Sequence, residues 1–226
     1  MYLAVRSAAA TGRRLAVGAL DHRRRDPVHC PALLVLARRI TAPSIPASST
    51  SVSTGRSYAR IFNKEGELNP VEIHPATLPD LPAMLELSAS KREQYEAYQP
   101  IFHRRAPDAT VAQQPYLQSL IERDDVVSLV AMKGEVVVGF GTAEIHTAPA
   151  VYDPGGPVAM IDDFTVATAD LWPTAGRQLL SALTAQLQRR GVVAVIAVCG
   201  RRDEPKREML SEAGLTVASE WYVRAL

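Results

Sequence analysis

The stretch from Val158 to Val198 constrains the fold most. It reads as a strand, a loop, a helix and a second strand. Val158 to Val166 is apolar or β-branched at most positions, as a strand requires. Pro173 suits the first turn of a helix, where its missing N–H costs least. From about Thr174 to Arg190 the leucines at 179, 180, 183 and 187 form one apolar stripe. Gly191 stops that helix. Val192 to Val198 is nearly all apolar, as a strand covered on both faces would be. An amphipathic helix between two such strands has to pack against a sheet.

The flanking sequence supplies the rest of that sheet. Val71 to Pro75 alternates as a short strand. Thr77 followed by Asp80 resembles a capping pair, with Asp80 itself as the other candidate cap. It opens a helix that carries Leu81, Met84, Leu85 and Leu87 inward. A polar and aromatic stretch, Tyr95 to Arg105, precedes a second helix from about Val111 to Glu122. Val126 to Met132 and Val136 to Ile145 flank Lys133-Gly134-Glu135, a hairpin by its turn residues. A short helix from about Glu204 ends at Gly214. Two short strands, Leu215 to Ala218 and Trp221 to Leu226, are expected to close the chain. The economical packing is a mixed central sheet with helices on both faces.

The first seventy residues are a different polymer. They carry 11 basic and 4 acidic residues, a net of +7, whereas residues 71–226 carry 14 basic and 20 acidic, a net of −6. Arg23-Arg24-Arg25 and the Pro/Ser/Thr-rich run from Ala42 to Ser51 cannot bury enough apolar surface to offset chain entropy. Residues 1–69 are expected to be a disordered basic extension. A targeting peptide and an arm touching nucleic acid or anionic lipid stand as alternatives. No run reaches the roughly 18–20 apolar residues of a membrane span. Cys30 and Cys199 are too few for a disulfide scaffold or a zinc site built on paired cysteines, and no metal is expected.

The loop from Ala167 to Pro173 points to chemistry. Free N–H groups at a helix start attract anions, and a pyrophosphate is an obvious occupant. Thr174 and Gly176 keep the backbone there accessible.

Residues 71–226 resemble the GNAT acetyltransferase superfamily in element order, length and local phrases. Ile73 to Leu87 is similar to that family's first strand and helix, and Gly134 to Gly139 to its second hairpin. Asp162-Asp163-Phe164-Thr165-Val166 resembles the acidic pair and closing valine of its fourth strand. Leu171 to Gly176 falls on its acetyl-CoA motif, (Gln/Arg)-x-x-Gly-x-(Gly/Ala), and Arg177 with Leu179-Leu180 on the usual continuation. Leu171 and Thr174 depart from the motif, and Gly176 matches it. The family's frequent tyrosine on the last helix falls on Leu210, and a frequent asparagine on Asp203.

The resemblance implies an α/β (α+β) fold with a mixed, mostly antiparallel central sheet. It also implies an acetyl-CoA-dependent N-acetyltransferase acting by direct transfer on a small amine or peptide amine. Acetyl-CoA would be the co-substrate. Its pantetheine arm would pair with the backbone of Phe164, Thr165 and Val166, and its phosphates would meet Thr174, Ala175, Gly176 and Arg177. Asp162 or Asp163 would assist deprotonation of the amine. Asp162 shares strand parity with Phe164 and Val166 and is the first choice for the cleft. Tyr98, Phe102, His103 and Glu144, with Tyr95 and His146 nearby, would line the acceptor pocket. Tyr222 would be a stand-in proton donor. The expected partners are acetyl-CoA and an amine acceptor in the cytoplasm, without membrane or nucleic acid; a homodimer is compatible. Leu171, Thr174 and Leu210 motivate the alternative, a non-catalytic acetyl-CoA-binding or interaction domain of the same fold.

Overall fold

The computed structural model describes residues 70–226. The basic extension expected at residues 1–69 lies outside the described residues. Five strands form one sheet: β1 (Val71–Pro75), β2 (Val126–Lys133), β3 (Val136–His146), β4 (Val158–Val166) and β5 (Ala194–Ala197). They lie in chain order, antiparallel from β1 to β4, with β5 parallel to β4. This is the mixed, mostly antiparallel sheet expected from the sequence.

Helices α1 (Leu81–Tyr98) and α2 (Ala109–Glu122) cover one face, where Met84, Leu117 and Leu120 pack with Val126, Val130 and Phe140. Helices α3 (Arg177–Arg189) and α4 (Glu204–Glu212) cover the other, where Leu179, Leu183, Leu187 and Met209 pack with Leu129, Ala143, Ile161 and Phe164. Gly141 lets α3 approach the sheet closely, because a Cβ there would lie 2.9 Å from Leu183 Cδ1. The Thr77–Asp80 pair is present at the start of α1: Asp80 Oδ2 accepts from the Thr77 N–H at 2.8 Å and from its hydroxyl at 2.7 Å. The β2–β3 hairpin turns at Gly134, whose φ of 57° favours glycine. Gly191, at φ 78°, ends the segment after α3.

Three expectations need correction. The helix expected from about Thr174 begins earlier, with a 3-10 turn at Ala169–Leu171 and one π turn at Trp172–Gly176 ahead of α3. Thr168, in extended backbone, takes the cap position, and Pro173 is tolerated because it falls in the early turns. The strand expected at Val192 to Val198 shrinks to Ala194–Ala197, and alternate residues of it face outward. It is the edge of the sheet, so only one side of its ladder is occupied. The two closing strands do not form. Among the described residues none pairs with the outer edge of β5, and the terminal segment makes side-chain contacts instead, such as Arg201 to Glu220 at 2.5 Å.

Candidate functional site

The site grows from the point where β4 and β5 part. They pair for four residues, from Val158↔Ala194 to Ile161↔Ala197, and a last bond runs from the Val198 N–H to the Ile161 carbonyl at 2.9 Å. Beyond it, Phe164 to Val166 pair with β3 alone, and Asp162 and Asp163 fall in the register break. A β-bulge coincides with the parting: the register against β3 jumps from Gly141↔Phe164 to Ala143↔Ile161. The extra residue inverts the alternation, so Ile161 and Phe164 both enter the core beneath α3 and α4.

Two lysines meet this open edge. Lys91 of α1 donates its ammonium to the Asp162 carbonyl at 3.1 Å. Lys206 of α4 donates to the Phe164 carbonyl at 2.8 Å. Lys206 is fully buried, 5.0 Å from the Phe164 ring and 5.3 Å from the Trp172 ring. Burial brings its pKa down to about 7. A cleft of about 330 Å³ opens alongside, lined by Lys91, Gln94, Thr165, Val166, Thr168 and Trp172.

The aspartate pair divides its work across the bulge. The Asp163 carboxylate accepts from Gln113 Nε2 of α2 at 3.4 Å. Gln113 in turn accepts from the Arg92 guanidinium, which also donates to Thr110 Oγ1 at 3.0 Å. Burial pushes the Asp163 carboxyl above its ordinary range; Lys91 opposes that rise and Asp162 adds to it. Asp162 is itself buried. The Asp163 carboxylate faces α2, on the side of the sheet opposite the Phe164 ring.

The helix start differs from the expected loop. Gly176 is buried, and a Cβ there would fall 2.5 Å from Trp172 Cε3. Its smallness serves the tryptophan ring, which meets Phe164 edge-on with centroids 5.0 Å apart. Ala175 is buried with it. Thr174 is exposed and its hydroxyl donates to the Leu171 carbonyl at 3.4 Å. Arg177 is ion-paired with Glu212. Asp170 puts a negative charge in the first turn.

On the α1–α2 side the aromatic candidates cluster around Tyr95. Its ring lies 5.8 Å from that of Tyr98 and 5.2 Å from that of His103, and Phe102 stands 4.9 Å from His103. Phe102 is exposed. Burial lowers the His103 pKa, and Lys91 adds to the fall. The buried Tyr95 hydroxyl donates to Asp203 Oδ2 at 3.0 Å and accepts from the Gly200 N–H at 3.1 Å, tying α1 to the chain that leaves β5. Burial, with Asp203 beside it, raises its pKa. Glu144 is held by the Tyr116 hydroxyl at 3.2 Å and by Arg123 at 2.7 Å. A second hollow of about 430 Å³ lies between α1 and the start of α2, beside Arg92, Glu96, Arg105 and Thr110. Tyr222 is exposed and its hydroxyl donates to Glu220 at 2.8 Å. Cys199 is a free thiol that burial raises to about 11, so it stays protonated at neutral pH.

Asp162 to Val166 thus meet along one strand, and Tyr98, Phe102 and His103 meet around Tyr95. Glu144 joins the Asp163 side through Tyr116. Sequence reasoning missed Lys91, Lys206, Arg92 and Gln113. One signal did exist for the lysines: the chain has 25 lysines and arginines, and only those at 64, 91, 133 and 206 are lysine.

No protein-family model and no curated protein matches the sequence. Solved structures do match. The BH1408 protein from Bacillus halodurans superposes with a TM-score of 0.60 at 14% identity, covering 69% of this chain and 99% of that one. A predicted acetyltransferase from Clostridium acetobutylicum, solved with acetyl-CoA, gives 0.54 at 13% identity, covering 69% and 96%. The AAC(6')-Iy structure in complex with a bisubstrate analogue of CoA gives 0.51 at 16% identity, covering 69% and 97%. The chain therefore has the fold of these structures, the GNAT fold, which the two named acetyltransferases share. Among the described residues no helix is long and apolar enough to cross a membrane, and no cluster of His, Cys, Asp and Glu is arranged to hold a metal.

Proposed function

We propose that the chain is an acetyl-CoA-dependent N-acetyltransferase that passes an acetyl group directly to a small amine or a peptide amine. The observation that carries this reading is the parted strand pair. Past Ile161, β4 offers one unpaired backbone edge to a cleft, as an extended arm with amide groups would need. Solved structures of the same fold include complexes with acetyl-CoA and with a CoA analogue, which supports a CoA thioester as the donor.

In this reading the arm lies along Phe164, Thr165 and Val166, and the phosphates meet the exposed turn from Thr168 to Thr174. That turn is poor in free cations: Arg177 is engaged by Glu212 and Asp170 is acidic. The backbone N–H groups and Lys91 would carry most of the attraction. The acceptor enters from the α1–α2 side, toward Asp163. A lysine-like amine has a pKa near 10.4, so freeing it at pH 7 costs about 4.6 kcal/mol. A carboxylate with a raised pKa is a better base for that step than an ordinary one, acting directly or through a water. The Arg92–Gln113 chain fixes the Asp163 carboxylate for it. Asp162 would act as the neighbouring charge.

The test is release of free CoA thiol when the full chain is mixed with acetyl-CoA and a panel of amines. Acceptor-dependent release is expected, and no release across a broad panel would overturn the reading. A second reading, a non-catalytic acetyl-CoA-binding or interaction domain, is favoured by two observations. Lysine ammoniums hold the Asp162 and Phe164 carbonyls, and α4 presents Leu210 where the family often has a tyrosine. Calorimetry with acetyl-CoA separates the two, because binding without turnover supports the second.

A further inference from the structure

The cleft beside the open edge of β4 has a direction. In the reading above the donor's phosphates meet the turn from Thr168, and its arm runs back along Val166, Thr165 and Phe164. The end that carries the thioester then arrives beside Asp162, about 13 Å from Val166 at strand spacing. Lys91 stands there. Its ammonium donates to the Asp162 carbonyl at 3.1 Å and lies 5.4 Å from the centre of the Tyr95 ring. That ring is pinned in turn, because the Tyr95 hydroxyl is held by Asp203 and Gly200. An ammonium has three donors. The carbonyl uses one and the ring covers another side, so a donor remains for a ligand. Lys91 is half-buried and is the one cation among the described residues that line the cleft. Lys206 reaches the same edge from beside the Phe164 and Trp172 rings and lines no part of it.

Resting on the acyl-CoA reading above, we propose that Lys91 is a catalytic residue whose ammonium holds the sulfur of the departing thiolate. The acceptor nitrogen attacks the thioester carbonyl carbon and gives its proton to Asp163. The C–N bond forms, and the C–S bond breaks with its electron pair on sulfur. The negative charge then develops against the Lys91 ammonium, which the carbonyl and the ring have already oriented. On release the thiolate takes a proton from water and Asp163 returns one, so the products are amide and thiol. Lys91 draws an anionic donor into the cleft by its charge, and its place along the strand decides which atom it serves.

Calorimetry of the full chain with CoA and with acetyl-CoA, at pH 6 and pH 9, tests this. Phosphate attraction is common to the two ligands, whereas only CoA can carry charge on sulfur. A neighbouring lysine lowers a thiol's pKa. For a lowering of about one unit from about 8.5, the ratio of CoA to acetyl-CoA affinity should rise about five- to tenfold from pH 6 to pH 9. Lys91→Met should abolish the rise, and Lys91→Arg, which keeps the charge, should restore most of it. The titratable groups near Lys91 are Asp163, His103, Cys199 and Lys206, with Glu93 also lining the cleft. All are common to the three proteins. Thiol release from acetyl-CoA should fall about 10²-fold in Lys91→Met. A wild type that binds both ligands without the rise overturns the proposal. So does a rise that survives in Lys91→Met, or unchanged thiol release in that variant. A chain that binds neither ligand overturns the acyl-CoA reading, and this inference with it.

Discussion

The two halves of β4 are covalently one strand and physically two environments. Val158 to Ile161 are paired on both edges, by β3 and by β5, and Ala159 and Ile161 are fully buried. Past Ile161 the strand loses β5 and keeps β3 from Phe164 to Val166, and what β5 vacates is met by lysine side chains. The first half is held by a complete ladder and apolar packing. The second leaves carbonyls facing a cleft and places two acids and two amines within one stretch. An unpaired buried carbonyl is costly, so the open half recruits charged side chains that the closed half excludes. Polar chemistry collects there because the ladder stops.

The comparison breaks most sharply at Asp163. If the open half is catalytic, Asp163→Asn should lower acetyl transfer by about 10²- to 10⁴-fold, the usual contribution of a positioned base. The fold should be left intact, with thiol release as the assay. Activity within a factor of two of wild type would remove Asp163 from the chemistry. The closed half should respond in the opposite sense. Ile161→Ala deletes a fully buried side chain and should cost about 2–5 kcal/mol of stability, read by urea unfolding. The activity of the fraction that remains folded should change little.

A smaller effect sharpens the boundary at the helix start. Gly176→Ala places a methyl group against the Trp172 ring and should destabilise by about 1–3 kcal/mol. Trp172→Leu should make the same glycine substitution nearly neutral. Equal costs in both backgrounds would mean that Gly176 is small for another reason, such as close approach of a phosphate.

These contrasts also mark what the sequence could disclose. The Thr77–Asp80 box, the turn at Gly134 and the stop at Gly191 were legible because each is a local requirement met by a few residue types. The leucine stripe of α3 was legible because its period is fixed by the helix. The bulge was not, because Ile161-Asp162-Asp163-Phe164 fits either phase of a strand, and only the register against β3 shows the extra residue. Helical turns from Ala169 were hidden by the preference of proline for a first turn, which drew the start to Pro173. The terminal segment alternates like a strand, but alternation cannot supply an edge to pair with. Lys91 and Lys206 lie about 70 and 40 residues from the carbonyls they reach, a relation that no local pattern carries.

The smallest expected effect tests the environment of Lys206 without any ligand. In the folded chain burial holds its pKa at about 7, against 10.5 for an ordinary lysine. Between those values the unfolded chain carries a proton on this lysine that the folded chain has largely released. More protons bound in the unfolded state means that stability rises with pH, by at most about 1.4 kcal/mol per pH unit for one group. Below pH 7 both states are protonated and the contribution is flat. Lys206→Met removes the titrating group while keeping much of its apolar volume, so its stability should lack that slope. Urea unfolding of both proteins at pH 7 and pH 9 reads the difference directly, since Cys199 and the other titrating groups are common to both. Parallel slopes would mean that Lys206 keeps its proton in the folded state. The open half of β4 would then hold a buried cation that the closed half lacks.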